Sequence, residues 1–398
     1  MQFVCRVSLL LLALGLLVPV LAQAALSDLS SEPTWTAKSE KFGEIRVRTL
    51  YLEAPAHLLA LMNKPTSRPR WAFAGGTEAS LRALFSKASL SAEMIVRMMD
   101  PARRVQQDAA LIIFPEIDDL LALTPEQRAV IYPELAKSEL NEFHRDPVFI
   151  TGESVDDWLR QADLSDRQKG AFRKMVWVRG KALVFSDLRT LMQLAETPAE
   201  LEQVFRTISR TRALYVELCL PEKADRLALI DYWSAGFNDA DTLPFLKAAL
   251  ERDSVTEVDI SRLLPPAARR RLYTFPTLDQ AAGGRFPDCH WTSLNFFNNT
   301  PSGYYLDTRL ASGALTDQYQ PVDGPRRFGD ILLFLKGDGV IHSCVFIADD
   351  IVYTKNGENI LAPWVLQRLS DVAAIYQPAE DVIIRTFRLR SEYRSRQR

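Results

Sequence analysis

Residues 329 to 357 read GDILLFLKGDGVIHSCVFIADDIVYTKNG, three apolar runs each closed by a turn signal. "GDILLFL" stops at Lys336-Gly337-Asp338-Gly339, "VIHSCVFIA" (340 to 348) at Asp349-Asp350, and "IVYTK" (351 to 355) at Asn356-Gly357. Runs this short, rich in Ile, Val, Phe and Tyr, suit strands. Turns of Gly, Asp and Asn let consecutive strands pair antiparallel. "VAAIYQ" and "DVIIRTFRLR" are expected to add two more strands. Ahead of these runs lies "RFPDCHWTSLNFF" (285 to 297). Pro287 restricts the approach, Asp288 suits an N-cap, and Trp291, Leu294 and Phe297 share a helical face. One helix before an antiparallel meander is an α+β pattern.

The preceding residues have another texture. From about 50 to 265 the pattern predicts mostly helices, several with start signals. Ser91 precedes "AEMIVRMM", Thr124-Pro125 with Gln127 forms a capping box, and Thr197-Pro198 with Glu200 repeats the device. Ser254 and Glu257 suggest another start, and Gly236 an end. No fixed period marks a solenoid, and these helices resemble one another only as helices. Near 264 "LPPAARRRLYTFPTLDQAAGG" reads as a linker. The expected organisation is a leader over 1–24, helical domain or domains over 25–265 with an optional division near 150, and an α+β domain over 266–398.

Arg6, an apolar run from Val7 to Leu21 and Ala22-Gln23-Ala24 form the pattern of a cleavable secretory signal. The mature chain, about 370 residues, is then expected in the periplasm or outside the cell. A net charge of −2 argues against a nucleic-acid binder that works through net charge. With 4 histidines and no spaced Cys or His pairs, no metal or cofactor is expected. Removing Cys5 leaves Cys219, Cys289 and Cys344, an odd number for an exported chain. Cys219 reads as core and Cys344 as a buried free thiol. The basic tail "RLRSEYRSRQR" could touch anionic wall polymer or lipid, or be a solvated end.

Chemistry gathers on the C-terminal third. Cys289 falls in the first turn of its helix, where amide N–H groups favour a thiolate. His342 lies on a strand whose alternation places it with Cys344 and opposite Ser343. A thiol with an imidazole base is the arrangement nucleophilic catalysis needs. The base also needs an orienting group. Asn356 is the choice for it, with Thr354 sharing its face and Lys355 pointing away. Asp288, His290 and Trp291 flank the thiol as pocket residues.

Residues 285 to 377 resemble the NlpC/P60 superfamily of papain-like cysteine peptidases. "DCHWTSLNFF" is similar to its Asp-Cys-Ser-Gly helix start, "RFGDILLFL" to its Gly-Asp strand, and "IHSCVFIADDIVYT" to its histidine strand pair. His290 and Trp291 replace small residues, and the third catalytic position of the family, usually His, falls on Thr354. The resemblance implies a thiol hydrolase that cuts amide bonds in peptidoglycan stem peptides through a Cys289 acyl-enzyme. Two other readings follow from the same residues: an acyltransferase or lipid-modifying enzyme on the same fold, and an inactive wall-binding scaffold.

Overall fold

The computed structural model describes residues 34–394, apart from 62–67, 153, 221–225, 236–241, 253, 282–283 and 377–380. The leader expected over 1–24, Gly236 and the last four residues lie outside the described residues.

The described chain opens with a hairpin of β1 (Trp35–Ser39) and β2 (Gly43–Leu52). Two copies of one unit follow. The first contains β3 (Trp71–Ala74), α1 (Glu78–Lys87), α2 (Ala92–Met98), β4 (Arg104–Gln107), β5 (Ala110–Ile113), α3 (Ile117–Ala122) and α4 (Pro125–Leu135). The second contains β6 (Val148–Ile150), α5 (Val155–Leu159), α6 (Asp166–Met175), β7 (Val176–Arg179), β8 (Ala182–Phe185), α7 (Leu188–Gln193) and α8 (Pro198–Ile208). Their sheets have matching orders, β3-β5-β4 and β6-β8-β7. The registers match too. Trp71 and Arg104 both pair with Ile113, as Val148 and Val176 both pair with Phe185. Ser91 and Ser165 cap the second helix of each copy, and Thr124-Pro125 and Thr197-Pro198 start the fourth. Topology, register and caps together identify a duplication.

This corrects the expectation of a mostly helical region. Residues 34–265 hold three antiparallel sheets whose strands are mostly too short to show a period. The two units share a core, with Trp177 and Val184 of the second packed among Trp71, Phe85 and Tyr132 of the first. A buried polar bridge joins them. Tyr132 donates its hydroxyl to Asp187 at 2.7 Å, and Arg128 lies 3.4 Å from the same carboxylate.

β9 (Thr211–Cys219) then returns beside β2, from Leu52↔Thr211 to Glu44↔Cys219. The helices α9 (Arg226–Ser234) and α10 (Thr242–Leu250) lead to β10 (Glu257–Asp259), completing a sheet of order β1-β2-β9-β10. The helix start expected at Ser254 is therefore a strand and a short 3-10 turn capped by Asp259.

The C-terminal part contains α11 (Cys289–Leu294), α12 (Thr308–Gln318), β11 (Tyr319–Pro321), β12 (Ile331–Lys336), β13 (Gly339–Ala348), β14 (Ile351–Lys355), β15 (Trp364–Arg368), α13 (Leu369–Tyr376) and β16 (Val382–Leu389). The strands form one sheet, β11-β16-β12-β13-β14-β15. The "VAAIYQ" segment, expected as a strand, lies largely in α13, which buries Leu369 and Val372 one turn apart. An α+β domain is thus present.

Alternation along the strands builds two cores. Ile331, Leu333, Val345, Tyr353 and Leu366 pack with Trp291 and Leu294 of α11. Leu332, Phe334, Cys344, Phe346 and Val352 pack with Val372 of α13. The first core also includes Ile45, Val216 and Leu218 of the N-terminal sheet, so residue 266 is not a packing boundary.

Gly329 and Asp330 explain the strand start. Gly329 has φ +86°, and a Cβ there would lie 2.1 Å from the Phe297 ring. Asp330 is buried and accepts two 2.7 Å bonds from Arg388 and a 2.8 Å bond from the Arg327 amide. The first arginine of the basic tail is therefore structural rather than a free wall contact.

Candidate active site

Asp288 caps α11 by accepting the Trp291 amide at 2.8 Å, which places Cys289 at the first helical residue as expected. The helix is only one and a half turns long, so the amides nearest the sulfur matter more than any dipole. Cys289 is 5% exposed, and burial and the Asp288 charge push its thiol up to about 12. Backbone N–H groups of Ser343, His290 and Cys289 itself oppose that rise. The resting group is therefore a neutral thiol. This corrects the thiolate expected from the helix start, because desolvation outweighs the amides.

The Ser343 amide reaches the sulfur because two strands part. β13 and β14 pair from Ala348↔Ile351 to Val345↔Tyr353, and the ladder stops there. β14 continues with β15 through Lys355↔Trp364. Ser343, beyond the end of that ladder, also fixes α11 through its hydroxyl. It lies 3.1 Å from the Cys289 carbonyl, 3.0 Å from Ser293 Oγ and 3.0 Å from His290 Nδ1.

His342 precedes Ser343 and faces the other side of β13, with Cys344. Its ring stacks on Tyr376 at 3.9 Å and 10° and meets Phe334 edge-on at 5.3 Å. Burial raises the Tyr376 hydroxyl, with smaller upward effects from Cys289, Cys344 and Asp288. Burial holds His342 well below the usual imidazole range, with a smaller effect from His290. His342 is neutral at physiological pH.

A polar chain sets its tautomer. Gln367 donates Nε2 to the Arg212 carbonyl at 2.9 Å, which leaves its Oε1 to accept from Asn356 Nδ2 at 2.9 Å. Asn356 therefore turns Oδ1 toward Thr354, whose hydroxyl donates to it at 3.5 Å. That hydroxyl in turn accepts from His342 Nε2 at 3.2 Å. The proton thus resides on Nε2, while Nδ1 is buried with no hydrogen-bond partner. Thr354, not Asn356, touches the imidazole. Asn356 is one link behind, because the Asn356-Gly357 turn carries it past the ring.

The pocket expectation divides. Asp288 and His290 line a cleft of about 200 Å³ with Ser343, Leu294, Tyr305 and Leu333. Trp291 does not line it. Its ring is buried in the core, 6.2 Å from Trp364, with the Arg271 guanidinium 5.2 Å above it. Its size and its place on the apolar face of α11 determine this. Cys219, Cys289 and Cys344 are all free thiols, and no cluster of metal-ligating residues occurs among the described residues. Sequence reasoning did not identify Tyr376, whose segment was read as a strand, or Ser343, whose small side chain carried no signal.

No family model matches this chain, and no curated protein and no solved structure shows significant similarity to it.

Proposed function

We propose that this chain is a papain-like thiol hydrolase of amide bonds, with Cys289 as nucleophile, His342 as base and Thr354 holding the base. The observation that carries this reading is the bare, buried Nδ1 of His342, one peptide unit from the amide that faces the Cys289 sulfur. A buried nitrogen left without a partner costs about 1–3 kcal/mol, a cost that a catalytic role would explain.

Both groups rest neutral, so proton transfer accompanies attack instead of preceding it. His342 Nδ1 takes the Cys289 proton as sulfur bonds to the amide carbonyl. The tetrahedral intermediate collapses, and the departing amine takes that proton from Nδ1. A water molecule then gives a proton to Nδ1, attacks the thioester and releases the acid, restoring the thiol. Thr354 keeps the Nε2 proton in place throughout.

Peptidoglycan stem peptides are the substrate class this reading favours, in the periplasm or outside the cell. It rests on the resemblance of residues 285 to 377 and on the export signal at the N-terminus. Incubation of purified muropeptides with the wild-type protein should release cleaved stem peptides, and Cys289→Ala should release none. No cleavage by either across several wall types sinks the reading. The mainly apolar lining of the cleft beside His290, with no lysine or arginine among the described residues, favours a second reading, transfer of an apolar acyl group to an acceptor other than water. Product masses with added amines separate the two.

A further inference from the structure

Lys355, the last residue of β14, is fully buried. Its Nζ donates to the carbonyls of Gly357 at 2.7 Å and Asn359 at 2.9 Å, and lies 5.9 Å from the Trp364 ring. These bonds use two of its three N–H donors.

Its surroundings converge on the N-terminal end of α11. Trp364 donates Nε1 to Thr292 of α11 at 2.9 Å, and Thr292 donates to the Asp288 carbonyl at 2.6 Å. The loop that Lys355 holds is tied to the approach to Cys289. Glu358 accepts the Phe286 amide at 3.0 Å and pairs with Arg285 at 3.6 Å. The ammonium therefore sits at the N-terminal end of α11, where β13 and β14 part.

Holding a loop does not require a charge. A neutral donor could serve the two carbonyls, whereas burying an ammonium is expensive unless an opposite charge answers it. The acidic groups acting on Lys355 are Asp288, Cys289 and Glu358. Asp288 acts on it most strongly of the three, since capping α11 leaves the carboxylate charged, and Glu358 is paired with Arg285. Arg271, a second cation, lies 5.8 Å from the same Trp364 ring. Cys289 rests as a neutral thiol, and the negative charge that develops on its sulfur during attack is one this ammonium also acts on. Burial has already brought Lys355 down to about 8, which leaves most of it protonated at neutral pH.

We infer that Lys355 is the charge partner of Cys289, a buried ammonium that stabilises the sulfur as it becomes a thiolate. This deepens the reading of Cys289 as nucleophile and rests on it, but it can be measured on the thiol alone. The test is the alkylation rate of Cys289 by iodoacetamide in the full chain, followed by peptide mass at about pH 7, where Lys355 is mostly protonated. Lys355→Gln keeps a donor for the carbonyls and removes the charge. It should slow alkylation at that pH by about ten-fold, while Lys355→Arg stays near wild type. Equal rates in the wild type, Lys355→Gln and Lys355→Arg overturn the inference, as does a Cys289 that no variant alkylates. If Lys355→Gln fails to fold by circular dichroism, a slower rate in folded Lys355→Met supports the inference and an unchanged one overturns it. A Lys355-dependent thiol in a protein that cleaves no wall peptide would leave this inference standing and remove the proposed substrate.

Discussion

Thr354→Val removes one hydroxyl and little else. The side chain is buried and β-branched, and valine has nearly the same shape, so packing between Val365 and the imidazole is kept. What is lost is the 3.2 Å bond to His342 Nε2 and the link to Asn356. A buried donor left without a partner costs about 1–3 kcal/mol. That cost should appear in urea unfolding as a lower midpoint with an unchanged slope. In the proposed mechanism the consequence is a wrong tautomer or a turned ring, so Nδ1 is no longer held bare to take the Cys289 proton. If about 1.5–3 kcal/mol of that orientation is lost in the transition state, kcat falls roughly ten- to hundred-fold. KM should change little, because Thr354 is not among the residues of the cleft. Thr354→Ser should recover most of the rate, and Asn356→Ala should lose less than Thr354→Val. Wild-type turnover by Thr354→Val, or a larger loss in Asn356→Ala, refutes the chain order His342–Thr354–Asn356.

Further consequences concern stability. Gly329→Ala forces a Cβ to 2.1 Å from the Phe297 ring at φ +86°, so strain and overpacking together should cost about 3 kcal/mol, seen as a lower Tm. His144 is buried and held down to about 3 by desolvation, with Arg189 adding to it. Its folded pKa lies below the unfolded value, so the unfolded chain binds the extra proton between about pH 3 and 6.5. Stability should therefore fall as pH drops through that window, by roughly 2 kcal/mol from this group at pH 5. His144→Phe should flatten the acid limb of a urea-midpoint profile; an equally steep limb in that variant contradicts the assignment.

The sheet around the site was legible because its turns are written in Gly, Asp and Asn. The runs 329–335, 340–348 and 351–355 coincide closely with β12, β13 and β14. Cys289 at a helix start and His342 on a neighbouring strand followed from local signals. The misreadings share a cause in contacts distant along the chain. β9 forms because Thr211 to Cys219 finds β2, and nothing near either segment announces the pairing. The duplicated units escaped notice because they share topology and caps rather than a repeated word. In the site, alternation puts Thr354 and Asn356 on one face and could not say which reaches the imidazole. The end of the strand decides it, since Asn356 already lies in the turn. Burial of Cys289 is likewise a tertiary property, and it reverses the protonation state suggested by the helix start.

The central claim is that Cys289 carries the acyl group and His342 moves its proton. Rapid quenching of the protein with wall peptides, followed by intact and peptide mass spectrometry, tests it directly. The account predicts a hydroxylamine-sensitive acyl adduct on the peptide containing Cys289, absent from Cys289→Ala and from His342→Ala. Continued cleavage by Cys289→Ala, or an adduct that forms as fast in His342→Ala as in the wild type, would contradict it.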